Sequence, residues 1–235
     1  MGNMLENNDW RLEVDLVGGR IVSLVKNGQG ILGTFERIDG KTGNTHVCVP
    51  NFASEGVEKF GFVFHGPFRN SLWEKLNQTD EGLEIRCQID GLEVRQKFEL
   101  GEKFSHKIAV VNNSSSKQRV NVAVHNYWET KNGWRGTKLN GIDVSQGFVT
   151  NPEIELKQKN RIEFSGQKPI IWQVNNFKVV KLWTAFKEEN GEKVYDQEYV
   201  CLEPVMEKEG FVKTDKSWLE SERKIELSQE ISLGV

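Results

Sequence analysis

Short alternations of apolar and polar residues, punctuated by Gly, Asn and Asp, run along most of the chain, and no long stretch carries the period of an amphipathic helix. The clearest alternation is LEIRCQIDGLEVRQKFEL. Leu83, Ile85, Cys87 and Ile89 alternate with polar neighbours, Asp90-Gly91 supplies the positive φ values of a tight turn, and a return strand follows. The pattern continues through Gly101-Glu102 into KFSHKIAVV, and NNSSSK (112–117) reads as the turn before the next strand. Similar logic predicts strands near 10–17, 20–26, 147–150, 152–156, 160–164, 170–174, 179–186, 197–203 and 222–230. So many strands without alternating helices predict an all-β fold, a large antiparallel β-sandwich rather than a parallel βαβ sheet. The polar, glycine-containing segments 131–141 and 187–193 read as connections within one unit, so a single domain over 1–235 is expected.

Within this pattern the run VNVAVHNYWE (120–129) places chemistry on a strand. Val120, Val122 and Val124 share one face of the predicted strand, while Asn121, Ala123, His125 and Tyr127 share the other. Two further segments repeat the arrangement: GFVFHGPFRN carries His65 and Arg69, and EYVCLEPV sets Glu203 opposite Val200 and Leu202. Each of these residues also has a structural reading. His125 could be a strand histidine bonded to a neighbouring loop, Glu203 a salt-bridged sheet carboxylate, and His65 and Arg69 could pair with Glu74 or stiffen a glycine-proline turn. His106 alternates with Phe104, Ile108 and Val110 on an apolar face and reads as structural. His46, in the turn-like GNTHV stretch, is left unassigned. The charge runs at 187–193 and 220–226 read as solvated loop and edge-strand faces.

Composition narrows the function classes. A formal net charge of -3, with basic and acidic residues interspersed, gives no global attraction for nucleic acid or an anionic membrane. Cys48, Cys87 and Cys201 are far apart and odd in number, with no CxxC or Cys/His pairing at metal-ligand spacing, so neither a disulfide framework nor a metal site is expected. The first residues lack a basic and apolar leader pattern and no apolar run approaches membrane-spanning length, which makes a cytoplasmic protein the default expectation.

The segments GGRIVSLVKNGQGIL, THVCVPNF, HGPFRNSLWE, VHNYWE and VCLEP, in this order and approximate spacing, resemble the aldose 1-epimerase (galactose mutarotase-like) family, including its hexose-6-phosphate mutarotase branch. The resemblance spans most of the chain and implies a β-sandwich with a sugar-binding concave face. It further implies interconversion of aldose anomers without a cofactor or metal, a small-molecule sugar or sugar phosphate being the partner. Glu203 in CLEP corresponds to the family's general base, His125 in VHNYW to its general acid, and His65 in HGPFRN to the histidine that binds the sugar near its ring oxygen. Arg69 could bind a hydroxyl or a phosphate through its planar donor fork. Asn51 is a further binding candidate, and Trp73, Tyr127 and Trp128 could offer apolar faces to a sugar. Two positions depart from the pattern: Asn175 and Asn176 stand where the substrate-binding acid is expected, and GKTGNTHVC offers only Lys41 in place of an arginine. A noncatalytic carbohydrate-binding β-sandwich is the alternative reading. A glycan-cleaving enzyme on a similar sandwich would need a second well-placed carboxylate.

Overall fold

The alternations resolve into two large, facing antiparallel sheets in the computed structural model, which describes residues 3–50, 61, 63–146, 153–208 and 217–234. One sheet runs Asn3–Glu6, Trp10–Asp15, Arg20–Lys26, Gln29–Leu32, Tyr127–Glu129, Tyr199–Val205, Ala123–His125 and His46–Cys48. Val179–Trp183 also pairs with Tyr199–Val205 and carries Ile154–Glu155 beyond it. The other runs Ile142–Asp143, Lys138–Leu139, Lys159–Glu163, Ile170–Asn175, Lys224–Leu233, Phe104–Asn112, Leu92–Leu100, Gly82–Ile89 and Glu74–Gln78. The hairpin expected at Asp90-Gly91 forms with φ of 49° and 80° at the two turn residues, and Ile89 faces Leu92 in register. Among the described residues no helix is long and apolar enough to cross a membrane.

Core residues come from the apolar side of each alternation. Val120, Val122, Val124 and Trp128 pack between the sheets with Val200, Leu202, Trp172, Phe98 and Phe104. Their partners in the alternation lie on the opposite face: Ala123 clusters with Cys48, Val179 and Val205, and Tyr127 with Tyr199 and Cys201. His106 is buried among core residues and bonded to Gln96 and Gln229, as its apolar-face register implied.

The structure corrects several expectations. The run 120–129 forms two short strands, Ala123–His125 and Tyr127–Glu129, separated by Asn126, although the face alternation continues across the break. The segment 179–186 ends at Trp183, and Phe186–Glu189 instead pairs with Glu192–Tyr195 in a separate exposed hairpin. Lys224–Leu233 is no edge strand, because it lies between Ile170–Asn175 and Phe104–Asn112. Its charges mark the wet face of the sheet, which sequence alternation reports; edge position depends on pairing, which alternation does not report. The stretch 147–150 lies outside the described residues.

Candidate active site

The sheet face opposite the core collects His46 and Cys48 from one strand, His125 from its neighbour and Glu203 from the strand beyond. His125 faces His46 in register, and Ala123 faces both Cys48 and Val205. Because these residues alternate with Val47, Val124 and Leu202, burial of the apolar side against the other sheet fixes which side chains point into the site. His125 Nε2 lies 3.3 Å from Glu203 Oε1, within ion-pair reach, but the two are out of line for a hydrogen bond. The His125 ring stacks on Tyr127, with centroids 4.8 Å apart and planes at 13°, and meets the Trp183 ring edge-on at 5.5 Å.

His65 arrives from the turn preceding Phe68–Asn70. It adopts a left-handed backbone, φ 62°, uncommon for a residue with a Cβ, and Gly66 follows at φ 77°. A Cβ on Gly66 would stand 1.7 Å from the Val49 carbonyl oxygen, so glycine lets the turn press against that strand end. The result is a His65 Nδ1 atom 3.2 Å from Cys48 Sγ and a ring 5.1 Å from that of His125. Arg69 sits half-buried one turn further on, with a buried Nε that has no hydrogen-bond partner. The Arg69 carbonyl accepts from Arg20 Nη2 at 2.7 Å and Nε at 3.1 Å, which clamps the turn to the sheet. Glu74, by contrast, pairs with Arg86 at 2.8 Å and takes no part in the site.

Burial dominates the electrostatics. It pushes the Glu203 carboxyl well above its ordinary pKa, with Lys181 pulling partly the other way. It pushes the His125 imidazole well below its ordinary value, and the nearby His46, His65, Arg37 and Arg69 act in the same direction. His46 and His65 are both lowered to about 3, again by burial first. The unliganded pair therefore favours a protonated Glu203 beside a neutral His125, with one proton between them.

Four of the residues expected to form the site, Glu203, His125, His65 and Arg69, thus lie on or beside one sheet face. Asn51 lies outside the described residues. Trp73 and Trp128 are 1% and 0% exposed in the inter-sheet core and cannot offer a face to a ligand, whereas Tyr127 supports His125 from beside it. His46, left unassigned from the sequence, joins the site, and sequence reasoning missed Cys48, Trp183 and Arg37, whose guanidinium lies 4.6 Å from the Trp183 ring centre. Alternation carried no signal for Trp183, which enters the site because its strand pairs with Tyr199–Val205 and sets it opposite Cys201, two residues before Glu203.

No protein-family model matches the sequence, and no curated protein matches it. Solved structures do resemble the fold over its full length. A galactose mutarotase related enzyme from Lactobacillus acidophilus superposes with a TM-score of 0.75 at 13% identity, covering 100% of this chain and 98% of that one. A galactose mutarotase-like protein from Lactobacillus casei gives 0.74 at 11% identity, with 100% of both chains covered. A further galactose mutarotase-like protein, from Clostridium acetobutylicum, gives 0.69 at 14% identity, covering 98% and 94%. The fold is the galactose mutarotase-like β-sandwich, in agreement with the ordered motifs in the sequence.

Proposed function

We propose that this protein is an aldose 1-epimerase that interconverts the α and β anomers of an aldose or aldose phosphate. The reading is supported above all by the 3.3 Å approach of His125 to Glu203 on a buried sheet face beside His65. Mutarotation asks for two proton-transfer groups of opposite action near two neighbouring oxygens. One takes the proton of the anomeric hydroxyl and the other protonates the ring oxygen, so the C1–O5 bond breaks to give the open aldehyde. Rotation about C1–C2 and reclosure yield the other anomer, with no net redox change.

In this scheme Glu203 is the base, His125 the acid, and His65 a sugar ligand. The required state, carboxylate plus imidazolium, holds the same single proton as the neutral pair that burial favours. Ligand hydroxyls entering the site stabilise the charged arrangement by hydrogen bonding. Arg69 supplies a cationic fork suited to a phosphate substituent, whereas the Arg37 guanidinium is paired with Asp39.

Saturation-transfer NMR on glucose, galactose and their 6-phosphates tests the activity directly. Exchange between anomers faster than in buffer alone is expected for at least one of them. Sugar binding without any acceleration would instead favour a noncatalytic carbohydrate-binding β-sandwich.

A further inference from the structure

Proton transfer at Glu203 and His125 and sugar binding at His65 leave His46 and Cys48, on the same sheet face, without a role. His46, Cys48, His65 and His125 bring their ligating atoms within 4.8 Å of one another. All four residues are buried, at 7%, 0%, 7% and 5% exposure. His46 and Cys48 share one strand, but His65 and His125 join them from distant segments, and no spacing rule links those segments.

Two observations point to a ligand rather than to packing. The first is the tautomer of His46. Its Nδ1 lies 2.8 Å from the Asn44 carbonyl oxygen, which can only accept, so Nδ1 carries the proton and Nε2 presents a bare lone pair. That Nε2 is buried with no hydrogen-bond partner, and both ring nitrogens of His125 are likewise buried without one. An imidazole that donates from one nitrogen to a backbone carbonyl and leaves the other free is oriented as metal-binding histidines are.

The second observation is the spacing of the rings. Their centroids are 5.0 Å apart for His46 and His125, 5.1 Å for His65 and His125, and 5.7 Å for His46 and His65. Imidazoles bound tetrahedrally to zinc at about 2.0 Å have centroids roughly 5 Å apart.

We propose that His46, Cys48, His65 and His125 form a binding site for a transition-metal ion of the Zn²⁺ class, held by three imidazole nitrogens and one thiolate. A bound ion withdraws His125 from proton transfer, so the metal acts as an inhibitor; this second half rests on the mutarotase reading, the first half does not. The quartet contains no carboxylate, and the arginines nearby oppose a hard cation held by charge alone, so Mg²⁺ and Ca²⁺ are poor occupants. On binding, the Cys48 thiol loses its proton to solvent and the metal–sulfur bond forms in its place. The thiolate balances one of the two charges, and the bound cation favours release of the Glu203 proton to solvent as well, which leaves a carboxylate to balance the other.

The test is titration of the full chain, first stripped with chelator, with Co²⁺. The expected result is one ion per chain with tetrahedral visible bands and a thiolate-to-cobalt charge-transfer band, displaced by Zn²⁺ and unaffected by Mg²⁺ or Ca²⁺. Cys48→Ser should abolish the charge-transfer band, His46→Gln should weaken Zn²⁺ binding by about tenfold or more, and Cys201→Ser should do neither. Absence of the band, or its loss in Cys201→Ser with retention in Cys48→Ser, overturns the proposal; the latter would assign the ion to His125, Cys201 and Glu203, which also lie within 4.8 Å of one another. Should a buried substitution prevent folding, X-ray absorption on the Zn²⁺-loaded wild-type chain decides, with one sulfur and three nitrogens expected and a sulfur-free shell fatal. Where anomer exchange is measurable, one equivalent of Zn²⁺ should slow it at least tenfold and chelator restore it. Unchanged exchange in the loaded protein overturns the inhibitory role, and a metal-free protein that shows no exchange with any of the sugars overturns it together with the mutarotase reading, while the metal measurements decide the site itself.

Discussion

His125 Nε2 approaches Glu203 Oε1 to 3.3 Å although the two residues are 7% and 2% exposed in their side chains and come from strands far apart in the sequence. Strand pairing brings them together: Ala123 faces Val205 and Tyr127 faces Cys201, so His125 and Glu203 occupy the intervening positions on the same side. The relationship is thus written into backbone register, and a side-chain substitution can alter the chemistry while leaving the register intact.

Glu203→Gln separates chemistry from structure. The amide keeps the shape of the carboxyl and cannot accept a proton, so anomer exchange should fall by about 10²–10⁴-fold. Burial already disfavours the charged carboxylate, so the neutral isostere should leave the thermal midpoint unchanged or slightly higher. Exchange at the wild-type rate would show that Glu203 is not the base.

His106 gives the fold an acid sensitivity independent of the site. Its Nε2 lies 2.8 Å from Gln96 Oε1 and its Nδ1 3.2 Å from Gln229 Nε2, so one nitrogen donates, the other accepts, and the neutral tautomer is locked. Burial lowers its pKa to about 3, whereas the unfolded chain protonates near the ordinary 6.5. The stabilisation is therefore complete above the unfolded value and is lost as pH falls from there towards the folded value. Because His46, His65, His125 and Glu203 also shift, the wild type is compared with His106→Gln in urea unfolding at successive pH values: the wild type should lose about 1.4 kcal/mol more per pH unit than the variant across that window. Parallel profiles from pH 6.5 down to pH 4 would contradict the buried neutral assignment.

Alternation made much of this architecture legible. It separated Val120, Val122 and Val124 from Ala123 and His125, identified the Asp90-Gly91 turn, and marked His106 as a core residue. Glu203 could be placed on a face by the same rule, and the ordered motifs supplied its expected partner. What alternation lacks is pairing information. His46 and Cys48 join His125 only because their strand docks beside it, and Lys224–Leu233 is central only because two other strands flank it. Trp128 and Trp73 were aromatic residues inside site-like motifs, and their burial follows from sheet packing that no local signal discloses.

Gly66→Ala tests how the His65 turn is held. The added Cβ would fall 1.7 Å from the Val49 carbonyl oxygen at a φ of 77°, so both contact and backbone conformation oppose it. A destabilisation of at least about 1–3 kcal/mol is expected by chemical denaturation, with a matching displacement of the His65 imidazole resonances. A variant as stable as wild type, with unshifted resonances, would mean that the turn does not press on this strand end.

Arg69→Lys addresses substrate charge. Lysine keeps the positive charge and loses the planar fork, so recognition of a phosphate should weaken while the chemistry is spared. For an aldose 6-phosphate we expect KM to rise by about tenfold with kcat little changed, and for the corresponding neutral aldose little change in either. Equal effects on both sugars would place Arg69 in general positioning of the ring instead.

Gln229→Leu probes the polar bridge behind the site. Gln229 Oε1 accepts from Asn126 Nδ2 at 3.0 Å and Trp172 Nε1 at 3.1 Å, while its Nε2 donates to Asn126 Oδ1 and His106 Nδ1 at 3.2 Å each. Asn126 is the residue between His125 and Tyr127, so this amide ties the break between their two strands to the opposite sheet. Leucine preserves the volume and leaves the Asn126 amide, the Trp172 indole N–H and the His106 Nδ1 buried without these partners. At about 1–3 kcal/mol for each unsatisfied group, the loss should exceed about 3 kcal/mol in urea unfolding. Released from that tie, the segment around Asn126 is no longer held against the opposite sheet, and His125 beside it loses part of its support next to Glu203, so exchange measured at a temperature where the variant remains folded should also drop. Lost stability with undiminished exchange would separate the two effects and show that pairing with Tyr199–Val205 alone positions His125.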